Sequence, residues 1–162
     1  MTGAVRQIRE SMRSLGAVFA NRDLVRLIFG WGGMTFATWA YSLALAVYAF
    51  EQGGTTAVGV AGLVRLLPGA LASPFAGMLA DRHSRKVVLV LSALLAALAI
   101  GLSAVAVIAD APAWVVYGLA GLFTVASTPY VPAEGALLPR VARSPLELSA
   151  ANVVRSQLDN GG

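Results

Sequence analysis

Of the 162 residues, 57% are hydrophobic and only 12% are charged, with a mean hydropathy of +0.73; so few charges cannot cover the core of a soluble domain of this length. Cysteine is absent, which excludes disulfides, thiol redox chemistry and thiolate metal sites. The net charge of +4 comes from arginines that flank apolar runs, and membrane orientation explains them better than nucleic-acid binding does.

Residues 1–22 form a basic leader. Val5, Ile8, Met12, Leu15 and Phe19 recur at spacings of three and four, with Arg6, Arg9, Glu10 and Arg13 between them. That pattern predicts an amphipathic helix lying at the headgroup boundary of the cytoplasmic face; a loosely ordered basic leader is the alternative. Asn21 or Asp23 is placed to cap the helix that follows.

Four apolar runs come next, at residues 27–50, 57–80, 87–109 and 113–133. Each is long enough to cross a hydrocarbon core of about 30 Å at about 1.5 Å per residue. The first is too long for a signal peptide and leads into no cleavage site. Arginines precede the first run, Arg82, Arg85 and Lys86 separate the second from the third, and Arg140 and Arg143 follow the fourth. The other connections, 51–56 and 110–112, carry Glu51 and Asp110 and no cation. The bias predicts that both termini and the basic loop are cytoplasmic.

Within the first run, Thr38, Trp39 and Tyr41 are polar-capable groups at mid-depth. They line a cavity or pack within the bundle, their hydroxyls bonded to the helix's own carbonyls. Tyr48, Phe50, Trp114 and Tyr117 fall where an outer aromatic belt belongs. In the second run, Gly69, Ser73 and Gly77 form a small-residue stripe that lets another backbone approach. Pro68 and Pro74 each remove a helix hydrogen bond, which predicts a bend. Arg65 is the one charge embedded in a run, about two turns or about 12 Å below the outer end. It snorkels outward, faces a substrate or anion, or pairs with a partner.

The third run reads as scaffold. The fourth ends in Pro129, Pro132 and Pro139, too many for a regular helix end. Beyond it, residues 145–152 predict a connector and the start of a fifth helix, from about 149, that gains no apolar run. Glu134 is the only carboxylate near enough to a span to change protonation there; a simple interfacial carboxylate is the alternative. One histidine, no cysteine and no carboxylate pair argue against an enzyme, a metal site or a cofactor.

The stretch Gly77-Met78-Leu79-Ala80-Asp81-Arg82-His83-Ser84-Arg85-Lys86 resembles the signature loop of the major facilitator superfamily, G-x-x-x-D-R-x-G-R-[KR]. Gly77, Asp81, Arg82, Arg85 and Lys86 match, and Ser84 stands where the family prefers glycine. The resemblance implies a cytoplasmic gate. Asp81 would bond a helix amino terminus of the carboxy-terminal half, Arg82, Arg85 and Lys86 would hold the loop's charge network, and Gly77 would allow close approach. A generic basic loop that only enforces topology is the alternative.

Arg65-Leu66-Leu67-Pro68, Pro132…Leu138-Pro139 and Leu148…Ala151-Asn152…Arg155-Ser156 further resemble efflux proteins related to macrolide and enterobactin exporters. The family's arginine motif inside helix four has no counterpart between Ala113 and Pro132, which leaves the proton-coupling arrangement open.

The resemblance therefore implies an all-α polytopic membrane protein. Residues 23–162 would be part of the amino-terminal half of a fold of about twelve spans, with four spans and the start of a fifth. The function implied is proton-coupled efflux of small amphipathic organic compounds across a bacterial inner membrane. Lipid and the small-molecule substrate would be its partners, and a carboxy-terminal half or further copies of the chain would complete it. On that reading the 162 residues are a truncated piece, inactive alone. A self-contained four-span protein, acting as a homo-oligomeric small transporter or a membrane scaffold, is the alternative.

Overall fold

The computed structural model describes residues 21–160, among which every regular element is helical. The helices are α1 (Arg22–Arg82), α2 (Arg85–Ile108), α3 (Ala113–Ser127), α4 (Tyr130–Val141) and α5 (Pro145–Asn160). The helix expected over residues 5–19 lies outside the described residues.

Among the described residues, three stretches are long and apolar enough to cross a membrane: Arg22–Leu79, Arg85–Ile108 and Ala113–Val141. Their outward side chains agree, with Phe36 76%, Leu71 73% and Ile108 82% exposed; a monomeric soluble protein does not expose apolar surface on this scale. The first stretch holds 58 residues, about 87 Å at the helical rise and nearly three bilayer cores. It is divided by non-helical backbone at Gly53 and Gly54. Gly54 has φ +63°, a left-handed conformation that glycine adopts without a Cβ penalty. The loop expected over 51–56 therefore narrows to these two residues, between limbs 22–52 and 55–82.

Other boundaries follow from caps. At the end of α2, Asp110 N–H donates to Val107 O (3.2 Å) and Ala111 N–H to Ala106 O (2.9 Å), with Asp110 at φ 50°. This is a Schellman closure with aspartate in the left-handed position. Helix α3 stops earlier than the apolar run does. Thr128 N–H (3.0 Å), Thr128 Oγ1 (2.7 Å) and Ser127 Oγ (3.0 Å) all donate to Thr124 O, and Pro129 has no N–H with which to continue. Helix α4 then begins at Tyr130, with Pro132 in its first turn, where a missing N–H costs little. The fourth apolar run is thus two helices rather than one.

The chain divides into two units, residues 1–37 with 135–162, and residues 38–134. In the first, Asn21 is the cap expected for α1. Leu24 N–H donates to Asn21 Oδ1 (3.4 Å), and Asn21 Nδ2 donates to Val141 O (3.0 Å) and Glu147 Oε2 (3.1 Å). Helix α5 begins at Pro145, four residues before the expected start. Ser144 caps it by accepting from Glu147 N–H (3.2 Å), with proline in the first helical position.

Glu147 Oε2 also accepts from Arg143 N–H (2.9 Å). Bonds from Arg143 and Asn21 hold the Glu147 carboxyl below its ordinary pKa. A lowered folded value means that the contribution to stability is present above the ordinary glutamate value of about 4.3. It is lost as pH falls through the folded value. Amide exchange at the start of α5 should accelerate over that acidic window in the wild type. Glu147→Gln should show no such step; a step of the same size would refute the carboxylate's role.

The second unit is built from 38–82 of α1, then α2, α3 and the start of α4. Helices α1 and α3 approach closely in it. A Cβ added at Gly69 would collide with Thr124 Cγ2, and one at Gly121 would stand 3.1 Å from Val64 O and 3.5 Å from Pro68 Cγ. Val64 O is the carbonyl that Pro68 leaves without its helical donor, and Gly121 of α3 lies against it, so it meets protein rather than lipid. The carbonyl freed by Pro74, Ala70 O, accepts from Ser73 Oγ (2.9 Å). Of the predicted stripe, Gly69 alone meets α3; Ser73 is exposed, and an added Cβ at Gly77 would meet nothing within 4 Å.

Candidate functional site

The polar groups of the second unit gather at depth around the Phe123 ring. Tyr41, on the first limb of α1, is 8% exposed, and its ring centroid lies 4.9 Å from that of Phe123 at 57°. Its hydroxyl is 2.7 Å from Ser103 Oγ of α2. Ser103 gives its own proton to Ala99 O (2.8 Å), so Tyr41 is the donor of the shared bond. From the second limb, the Arg65 guanidinium carbon stands 5.9 Å from the Phe123 centroid, within cation–π range. Arg65 Nη1 donates to Ser42 Oγ, and Ser42 Oγ donates to Thr38 O. Arg65 Nε is buried and has no hydrogen-bond partner among the described residues.

Tyr41 and Arg65, from the set read in the sequence, are thus brought to one ring. Thr38 contributes its carbonyl. Trp39 departs from the set: it is 54% exposed, because two residues along a helix turn a side chain by about 200°. Ser42, Ser103 and Phe123 complete the cluster and were not among the expected site residues. A signal for Ser42 was present, since Thr38, Tyr41, Ser42 and Leu45 share the i, i+3, i+4, i+7 face. No comparable signal marks Ser103 or Phe123.

Tyr41 and Ser103 also line a crevice of about 370 Å³ whose other walls include Leu45, Ile100, Val107 and Val116. At this end Tyr48 and Tyr117 meet edge to face, with centroids 6.4 Å apart at 79°. A second crevice of about 470 Å³ runs between Phe75, Leu79, Leu91 and Val125, with His83 on its lining.

The charged turn is tighter than a loop. Asp81 and Arg82 belong to the last turn of α1, His83 and Ser84 form the connection, and Arg85 and Lys86 open α2. His83 N–H donates to Leu79 O (3.2 Å) and Val88 N–H to Ser84 O (3.0 Å). Arg82 and Lys86 are exposed and Arg85 is partly buried. Val88, one turn into α2, packs with Ala133 of α4. The neighbouring Glu134, at 1% exposure, therefore lies toward the turn end of the unit.

In the first unit, Trp31 Nε1–H donates to Asp159 Oδ1 (2.9 Å), and the Arg155 guanidinium lies 4.0 Å over the Trp31 ring. Arg155 falls in one of the family-like stretches of the sequence, whereas neither Trp31 nor Asp159 carries any such mark.

Apolar helices joined by short turns, with polar side chains turned onto one another at depth, define a helical integral membrane protein. The family model of the Major Facilitator Superfamily matches residues 5–156, and the chain belongs to that superfamily, a family of transporters rather than enzymes. No curated protein and no solved structure matches the chain.

Proposed function

We propose that the protein acts in proton-coupled efflux of small amphipathic organic compounds across a bacterial cytoplasmic membrane. The observation that carries this reading is the Tyr41–Ser103, Arg65–Ser42 and Phe123 cluster. It is a polar site inside an otherwise apolar unit of a transporter-family chain, beside a crevice with apolar walls. A compound with an apolar body and one polar end suits that combination.

The two limbs of α1 cross separately, giving four spans, with the start of the chain and the charged turn on the cytoplasmic side. Asp81 serves as the gate carboxylate toward a helix amino terminus, a contact that gains typically about 0.3–1 kcal/mol and more when partly buried. Gly77, Arg82, Arg85 and Lys86 complete the gate, and Arg82, Arg85 and Lys86 also meet anionic lipid. Glu134, nearly inaccessible to solvent, is the coupling carboxylate, taking up a proton in one state of the transporter and releasing it in the other.

The test is accumulation of a lipophilic fluorescent dye in everted membrane vesicles energised by respiration. Accumulation should require the chain, together with the carboxy-terminal half or further copies that complete it, and collapse on adding a protonophore, and Glu134→Gln should abolish the dependence on the proton gradient. Accumulation unaffected by the protonophore would overturn proton coupling. No difference from vesicles lacking the chain would overturn the efflux reading.

A further inference from the structure

We propose that Arg65 is the seat for the acidic group of an organic anion, whose apolar body lies in the crevice beside Tyr41. The inference deepens the transporter reading by naming the substrate class, and it rests on that reading for its biological sense.

A guanidinium carries five N–H groups and cannot shed its charge in a protein. In Arg65 one nitrogen, Nη1, is bonded to Ser42 Oγ, and Nε is buried with no partner among the described residues. Ser42 is a neutral partner whose own proton goes to Thr38 O, so it orients the guanidinium without offsetting the charge. The Phe123 face, 5.9 Å away, supplies a weak attraction only.

No ion pair joins Arg65 to an acidic side chain among the described residues. The acidic residues of this unit are Glu51, Asp81, Asp110 and Glu134. Glu51 flanks the Gly53–Gly54 break and Asp110 sits in the α2–α3 turn. Asp81 lies sixteen residues along α1, about 24 Å at the helical rise. Glu134 lies with Val88 and Ala133 at the same end of the unit as Asp81. The four acids therefore stand at the ends of the unit while the cation stands between them. A cation at that depth needs an anionic or well-hydrated partner, and the described residues do not supply one here.

The crevice indicates what kind of anion answers. Tyr41 lines it, and its ring meets, at a tilt of 57°, the Phe123 ring that Arg65 faces, so the crevice and the cation are neighbours across one aromatic pair. Leu45, Ile100, Val107 and Val116 make that space suitable for a hydrocarbon or aromatic body. The planar fork of arginine suits a carboxylate or sulfonate bound through two parallel N–H bonds. The ligand class is a monoanion with a compact apolar body.

The test uses the full chain in nanodiscs of neutral phosphatidylcholine and measures binding calorimetrically, without transport. The probes are 2-naphthoate, its uncharged analogue 2-naphthamide, and 2-naphthylmethylammonium. The wild type should bind naphthoate roughly tenfold or more tightly than naphthamide, as hydrogen bonds to charged groups imply. It should bind the cation weakest. Arg65→Gln should erase the preference for naphthoate by weakening it far more than naphthamide, and Arg65→Lys should keep part of it. Ser42→Ala should weaken naphthoate binding by a smaller factor, because only the orientation of Arg65 is lost.

Equal affinity of the wild type for naphthoate and naphthamide would overturn the site, and this comparison needs no variant to fold. Displacement of naphthoate by phosphatidylglycerol at near one-to-one stoichiometry would show that the anion is a lipid headgroup, overturning the soluble-substrate class. Selective naphthoate binding without dye efflux would sink the efflux reading and leave the site standing.

Discussion

Gly69→Ala should lower stability by about 1–3 kcal/mol, the range for an overpacked interior, and Thr124→Ser in the same chain should restore most of it. A Cβ at residue 69 overlaps Thr124 Cγ2. Thr124 cannot rotate away freely, since its Oγ1 donates to Ala120 O (3.1 Å) and its branched Cβ restricts χ1. Serine keeps the hydroxyl bond and deletes the offending methyl. Gly121→Ala behaves differently: its Cβ would press on Val64 O at 3.1 Å, a backbone atom that no side-chain trimming moves. Thr124→Ser should therefore rescue the first variant and not the second. Unfolding midpoints of the six chains (wild type, three single variants and two doubles) in one detergent, read as two double-mutant cycles, decide the matter. Equal rescue of both, or of neither, would mean that the α1–α3 approach is not what these glycines serve.

Much of this architecture was legible in the chain, and the particular failures have physical causes. Composition and the length of the apolar runs identify a helical membrane protein, because a bilayer leaves the backbone few alternatives. The prolines at 68 and 74 announced breaks, but which groups would meet the freed carbonyls was not readable. Ser73 answers from within α1, whereas Gly121 answers from a helix whose rotation about its own axis the sequence does not fix. The same freedom hid Ser103, in the run that read as scaffold, and Phe123, in the fourth run.

Other misses were legible. Ser144-Pro145-Leu146-Glu147 is a serine cap, a first-position proline and a glutamate three residues on. It places the start of α5 at Pro145 rather than near 149. Helical periodicity alone likewise puts Trp39 and Tyr41 on different faces of α1. Thr128-Pro129 could also have been read as a break, since the hydroxyl and the missing N–H act on the same turn. Functional roles stand differently. The match over 77–86 marks a family, and the geometry adds positions for Arg82, Arg85 and Lys86, while the movement of a gate is a property of more than one state.

Trp31→Ala should loosen α5 within its own unit far more than Trp31→Phe. The indole is 7% exposed, and it offers α5 two different things. Its face carries the Arg155 guanidinium at 4.0 Å, and its N–H donates to Asp159 Oδ1 at 2.9 Å. Removing the whole ring forfeits buried area and the cation–π contact, about 3–5 kcal/mol for a large aromatic in a core. Phenylalanine retains a face for Arg155 and loses the bond to Asp159 with part of the buried area. Asp159 is exposed, so water replaces that bond at a cost of about 0.5–1.5 kcal/mol. Hydrogen exchange of the 145–160 amides should accelerate strongly in the alanine variant and modestly in the phenylalanine one, with the α2 amides as internal reference. If the two variants exchange alike, the ring face is not what holds α5. Asp159→Asn, which keeps an acceptor oxygen and removes the charge, should then be nearly silent if geometry alone matters; rapid exchange there would place the attachment in the carboxylate's charge.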